Sequence, residues 1–527
     1  MTVTLDGKSL TVAETVAVAR RDATVTVADG ARERVRAARE RVEDVTAAGE
    51  PVYGLNTGFG ELVDTRIPAD RVRDLQTNLL RSHAAGGGDD LSRELVRATM
   101  VTRVNALAKG YSGVREAVVD HLVALLNAGV HPVVPSRGSL GASGDLAPLA
   151  HLALVLVGEG EADLERDDGG VERLDGEAAL AAAGLEPLAL RAKEGLALIN
   201  GTQVTLGAAA LAVHDAERLC RAADAAGTLT TEVTMGTTAA CDPAIHELRP
   251  HGGQATSAAT VRALAGDSEV VESHRNCDRV QDAYSIRCLP QVHGAVRDAV
   301  AHLRSAVAVE LNSATDNPLV FPREEVDDRA SGTARAGVIS GGNFHGEPLA
   351  LRLDYLVGAL TELAAISERR VDRVLNPNLQ EPHLPPFLAD DTGLESGLMI
   401  AQYAAAARLN ECRAVGRAVT DNTPVSGGQE DHVSMSATAA LDARRVLEAA
   451  RSVVATELLV AAEAAEYLDD ELALGTGTAA AHDAVREVVA PLASDRRLDG
   501  DVGAVERLVA EGLLEEAVAE AVEWPER

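Results

Sequence analysis

Three times in this 527-residue sequence, a polar, glycine-bearing loop runs straight into a long apolar stretch. The loops lie at residues 138–145, 340–348 and 426–434. The apolar runs that follow reach Leu156, about Val374 and roughly Tyr467 at helical spacing, and a further Ala-rich run opens at 194–203 and reaches about Ala226. Asp145 stands where an N-cap belongs, and Pro148 and Pro348 suit a first helical turn. Three of the runs exceed an average helix. The pattern therefore predicts long helices whose N-termini sit at polar loops, and convergence of such ends would create a site of positive potential. No internal sequence repeat accompanies the pattern.

Composition agrees with helices. Hydrophobic residues make up 46% of the chain but aromatic ones only 2%, so the core must be built from Ala, Leu and Val. Alanine and leucine are strong helix formers, which predicts a mainly α fold. The length allows a large core and more than one domain. Net charge is −32, and of 49 basic residues only Lys8, Lys109 and Lys193 are lysine. That balance argues against nucleic acid or an anionic membrane as partner. A high-salt cytoplasm accounts for the excess acid, because salt screens the repulsion among carboxylates. The alternative is an acidic mesophilic protein with a bias toward arginine. Cys220, Cys241, Cys277, Cys288 and Cys412 are scattered without a CxxC pair, which suits a reducing cytosol better than a disulfide framework or a zinc site. The first twelve residues lack a basic region followed by an apolar run, and no run approaches membrane-spanning length, so a cytoplasmic protein is expected.

Residues 1–110 read as a first unit. Residues 2–10 look extended, and 31–48 form a charged helix. The stretch 52–60, with Tyr53 and three glycines, reads as a loop. A helix ends near Ser82, where His83 suits a helix C-terminus. Further on, 116–127 reads as a helix stopped by Gly129 and Pro132, and the acidic stretch 158–176 as a surface excursion. A long Ala-rich helix opens at 194–203, with the polar Asn200 inside an apolar run. The segment 279–288 is too polar for core and too patterned for a linker. Tyr284 and Arg287 there are neighbours if the segment is helical.

Residues Ala142, Ser143 and Gly144 permit unusual chemistry. Gly144 lacks a side chain, so its nitrogen can approach the Ala142 carbonyl carbon. Ring closure with loss of two waters, one from the Ser143 hydroxyl, leaves an exocyclic methylidene on a five-membered ring. Glycine loops before helices more often merely turn the chain or bind an anion. The full string 138–149, GSLGASGDLAPL, resembles the signature of the aromatic amino acid ammonia-lyases and aminomutases, whose prosthetic group is 4-methylidene-imidazol-5-one (MIO). The resemblance extends from about Tyr53 to beyond Ser434, with the motifs YGLNTGFG, LINGTQ, VQDAYSIRC, SGGNFH and QEDHVSM in matching order, and it is closest to the histidine branch.

The resemblance implies residue roles. Ala142, Ser143 and Gly144 would form MIO; Tyr53 would be the base for the β-proton; Asn200 would hydrogen-bond the prosthetic group. Gln281, Tyr284 and Arg287 match one substrate segment, in which the arginine binds the carboxylate and the tyrosine supports the MIO chemistry. Phe344 would lie near the prosthetic group, Glu430 at the substrate imidazole or the proton transfer, and His83 at the side-chain selectivity position. The implied reaction is elimination of ammonia from L-histidine to give trans-urocanate, with no metal and no diffusible cofactor.

The implied fold is a small N-terminal α domain, 1–110, and a large domain, 111–527, around a long antiparallel helical bundle of the fumarase/aspartase-like type. The implied assembly is a homotetramer with sites shared between subunits. Alternatives are a tyrosine or phenylalanine ammonia-lyase, an MIO aminomutase, or an inactive paralogue. Against the last, no catalytic position is lost. Ala283, Gly428 and His293 depart from the residues usual in the family: proline, asparagine and methionine.

Overall fold

The computed structural model describes residues 1–49, 52, 54–55, 67–68, 71–166, 168–275, 277–419 and 423–525. The chain is 59% helix, in twenty helices among the described residues. The strands are short and lie in four small sheets of two or three strands each. The extended start is real: Thr2–Leu5 pairs in parallel with Thr24–Val27.

Contacts divide the chain into two compact units. The first comprises Met1–His214, Leu303–Asp354 and Arg417–Leu441. The second comprises Asp215–His302, Tyr355–Gly416 and Asp442–Arg527. The long helices Gln203–Val233, Leu289–Glu310, Glu347–Leu375 and Ser436–Ala465 each supply residues to both. Their buried faces are aliphatic, as the shortage of aromatics requires. Ala209, Ala212, Leu349, Leu360, Ala443 and Val453 are all fully buried. Small side chains let such helices approach closely, and each buried Leu or Val contributes roughly 1.5–3 kcal/mol.

The loop-to-helix pattern holds at each of the three places, and the fourth run needs a correction. The Ala-rich run that begins at 194 is not continuous. A short helix, Glu194–Ile199, ends at Asn200, and Gln203–Val233 starts afresh. Gly201 between them has φ +146, a backbone angle that no helix contains. The acidic excursion at 158–176 also holds more order than its composition suggests. Glu161–Glu165 and Val171–Asp175 form an antiparallel hairpin, and its first strand also pairs with Val130–Pro132. Ala162 is that strand's buried residue, and one alanine among acids gives little period-2 signal. Among the described residues, no helix is long and apolar enough to cross a membrane.

Candidate active site

The three glycine-bearing loops meet in the first unit. The loop before Leu146–Leu156 is tied to the loop before Ser436–Ala465, where Met435 N–H donates to Leu140 O at 2.7 Å and Ser434 Oγ to Gly141 O at 2.9 Å. It is tied to the loop before Glu347–Leu375 through Gly346 N–H, 3.1 Å from Gly141 O. The break at 200–202 closes the remaining side: Gly144 bridges Gly201, and Asp145 N–H donates to Gly201 O at 2.7 Å.

Gly144 is fixed by contact as well as by angle. Its φ is +75, and a Cβ on it would lie 2.1 Å from the Gly201 carbonyl oxygen. Asn200 Nδ2 donates to Ser143 O at 3.1 Å, while its buried Oδ1 has no partner. Beneath it, the fully buried Arg103 donates from Nη2 to Asn200 O at 2.9 Å and from Nη1 to Gln203 Oε1 at 2.6 Å. Burial pulls that guanidinium down to about 10.

Asp145 is the N-terminal flanking residue of Leu146–Leu156, but its carboxylate does not cap that helix. It turns into the loop instead. There it accepts Ser139 Oγ at 2.8 Å, Thr205 N–H at 2.9 Å and Thr205 Oγ1 at 3.1 Å. Burial raises its pKa against those hydrogen bonds.

A cavity of about 530 Å³ opens over this loop, and its lining includes Ala142, Ser143, Asn200, Phe344 and Glu430. Ser143 Oγ donates to Glu430 Oε1 at 3.3 Å. His83, the last residue of Val72–His83, hydrogen-bonds through Nδ1 to Leu79 O at 2.9 Å. With Nδ1–H so engaged, Nε2 carries the lone pair. Burial lowers the His83 pKa, opposed by the charge on Glu430.

Gln281, Tyr284 and Arg287 belong to the second unit and are not among the residues that line this cavity. The single turn Tyr284–Arg287 does make its end residues neighbours: the Arg287 guanidinium lies 4.5 Å from the Tyr284 ring centroid. Tyr53 lies outside the described residues.

The cavity has lining residues that the motifs did not single out. Asn317 Oδ1 accepts Gly341 N–H at 2.7 Å, and its Nδ2 donates to Ser340 Oγ at 3.1 Å. The available sequence signal is the Asn317-Pro318 pair, which marks the stop of a helix. His345 and His432, whose rings stack at 5.7 Å, come from the same two loops as Phe344 and Glu430. With Glu347 they place three ligand-type atoms within 4.8 Å of one another. Both nitrogens of His345 already meet main-chain groups, His432 O and Glu347 N–H.

A profile of the aromatic amino acid lyases matches residues 10–487. The chain belongs to the aromatic amino acid lyase family. Within that family it is 65% identical to a protein of Halobacterium salinarum named probable histidine ammonia-lyase, over 99% of both chains. Among solved structures it is similar to histidine ammonia-lyase from Trypanosoma cruzi, with a TM-score of 0.88 and 38% identity over 99% of this chain and 96% of that one. It is also similar to tyrosine aminomutase from Streptomyces globisporus, with a TM-score of 0.91 and 37% identity over the whole of both chains.

The residues present fit the family's prosthetic group. Gly144 tolerates no side chain, its neighbours on either side are Ser143 and Asp145, and Asn200, whose Nδ2 holds Ser143 O, keeps a buried Oδ1 without a partner.

Proposed function

We propose that this member of the aromatic amino acid lyase family is a histidine ammonia-lyase that converts L-histidine to trans-urocanate and ammonia. One observation supports the reading most directly: Glu430 reaches Ser143 across the cavity and acts on the ionisation of His83. A carboxylate and an imidazole suit a polar, ionisable substrate side chain better than a benzyl group. The 65% identity to the Halobacterium salinarum relative supports the same choice.

Ala142, Ser143 and Gly144 supply MIO, and Asn200 holds the carbonyl of residue 143. When formed, the group supplies an electrophile that makes the substrate's amino group a better leaving group. Arg287 holds the substrate carboxylate with two parallel N–H donors, and Gln281 and Tyr284 come from the same segment. Tyr53 removes the β-proton. The Glu430 carboxylate accepts an imidazole N–H, His83 stands beside it, and Phe344 gives the cavity an apolar wall. No metal or diffusible cofactor enters this scheme.

The assembly is a homotetramer whose sites combine segments from different subunits. Two facts support that. Gln281, Tyr284 and Arg287 do not line the cavity of their own chain. Aromatics are scarce here, yet Tyr284, Tyr355 and Tyr403, three of the six tyrosines, are more than half exposed. Exposed apolar surface of that kind marks interfaces. Free cysteines and the lack of a membrane-crossing helix among the described residues support a cytoplasmic location.

An aminomutase is the competing reading, because one structural relative at 37% identity has that activity. Incubation with L-histidine, followed by near-ultraviolet absorbance and chromatography, separates the two. Urocanate from histidine, and no product from L-tyrosine or L-phenylalanine, is expected. A β-amino acid product would overturn the lyase reading.

A further inference from the structure

The second unit contains an ionic network inside an otherwise aliphatic bundle. Asp224, His293, Arg370 and Glu457 come from four different long helices, and each is at most 1% exposed. Arg370 meets Glu457 with two donors, Nε to one carboxylate oxygen and Nη2 to the other, the latter at 2.9 Å. Thr230 and Ser367 hydroxyls also donate to Glu457. His293 Nδ1 donates to Asp224 Oδ1 at 2.6 Å, and Arg297 Nη2 donates to Asp224 Oδ2. Both terminal nitrogens of Arg370 lie 3.3 Å from His293 Nε2. A guanidinium can only donate, so Nε2 accepts and the imidazole is neutral. Burial keeps it so by lowering its pKa. Two carboxylates, two guanidinium groups and a neutral ring sum to zero charge.

Such a network is a poor way to gain stability. Well-packed apolar side chains of similar volume would serve a bundle as well or better. What it provides is a fixed geometry. One contact leaves the network: Arg370 Nη1, which also meets His293, donates to the Ser285 carbonyl oxygen at 3.3 Å. Ser285 lies in the single turn Tyr284–Arg287. Nothing in so short a helix holds itself in place. Other ties include Arg287 Nε, which donates to Asp282 O at 3.2 Å, the Asp282 carboxylate, which accepts Thr237 N–H and Arg279, the buried Ile286, and Cys288 N–H, which donates to Tyr284 O at 2.9 Å just before Leu289–Glu310.

We propose that Arg370, locked by Glu457 and His293, is a positioning residue that aims the Tyr284–Arg287 turn at the substrate carboxylate. The proposal rests on the reading of Arg287 as the carboxylate-binding group. It also gives the buried imidazole at 293 a role: one nitrogen holds Asp224 while the other orients Arg370.

The test compares two ligands of the intact protein that undergo no turnover, by titration calorimetry. Imidazolepropionate carries the carboxylate; histamine lacks it. In Arg370→Lys, which keeps the charge but loses the fork, the Kd for imidazolepropionate is expected to rise about tenfold, as for one lost charged hydrogen bond, with histamine unchanged. His293→Leu should give the same selective loss, and His293→Gln, which can both donate to Asp224 and accept from Arg370, should restore it. The Gln and Leu pair keeps the test decisive if Arg370→Lys does not fold. Arg287→Lys is the control. If it leaves imidazolepropionate binding intact, the reading of Arg287 falls. If it weakens that binding while the Arg370 and His293 variants leave it unchanged, or weaken both ligands equally, the positioning role is overturned.

Discussion

Ser143 Oγ donates to Glu430 Oε1 at 3.3 Å across a separation of 287 residues. The contact joins the loop that would become the electrophile to the group that would read the substrate side chain. Glu430→Gln keeps the shape but removes the negative charge. It should lower kcat/KM for L-histidine by about 10- to 100-fold, the usual scale for loss of a hydrogen bond to a charged group. Circular dichroism and the mass of the peptide containing residues 142–144 should match the wild type.

Gly144→Ala should prevent formation of the prosthetic group. The new Cβ would lie 2.1 Å from Gly201 O at a φ of +75. Strain of this kind costs about 1–3 kcal/mol, so the chemical-denaturation midpoint should fall. Mass spectrometry should show the peptide without its two-water loss.

His131 gives a pH prediction. Burial, with Arg97 and Arg93 nearby, pulls its pKa down to about 3, from 6.5. The ring stays neutral in the folded chain, while the unfolded chain takes up a proton below 6.5. Its contribution to stability is therefore complete above pH 6.5 and is lost as pH falls toward 3. The slope reaches at most about 1.4 kcal/mol per pH unit. Urea unfolding at pH 7.5, 6 and 5 should show a shallower decline in His131→Gln than in the wild type.

The loops and the long helices were legible in the sequence because both signals are local. Glycine, proline and N-cap residues mark loop ends, and apolar spacing marks helices. The break at Gly201 was not legible, since Ala, Leu and Ile flank it on one side and another helix follows at once. Asp145 illustrates a deeper limit. Its position is that of an N-cap, but its partners, Ser139 and Thr205, come from the loop and a distant helix. Tertiary contacts decided its use. His345 and Asn317 were missed for the same reason, each lying in a segment already explained by its turn residues.

The net charge of −32 carries a prediction of its own. The Debye length falls from about 10 Å at 0.1 M salt to about 3 Å at 1 M, which removes most repulsion among surface carboxylates. Tm and activity should both rise with potassium chloride over that range. A flat or falling Tm would point to an acidic protein of ordinary salt habit.

Conversion of Ala142, Ser143 and Gly144 to the electrophile that would drive elimination is tested by comparing the wild type with Ser143→Ala in one experiment. Urocanate formation from L-histidine is followed while the mass of the peptide containing residues 142–144 is measured. Urocanate and a two-water mass loss are expected in the wild type, and neither in the variant. Unchanged turnover in Ser143→Ala, or a wild-type peptide of unaltered mass with full activity, would contradict it.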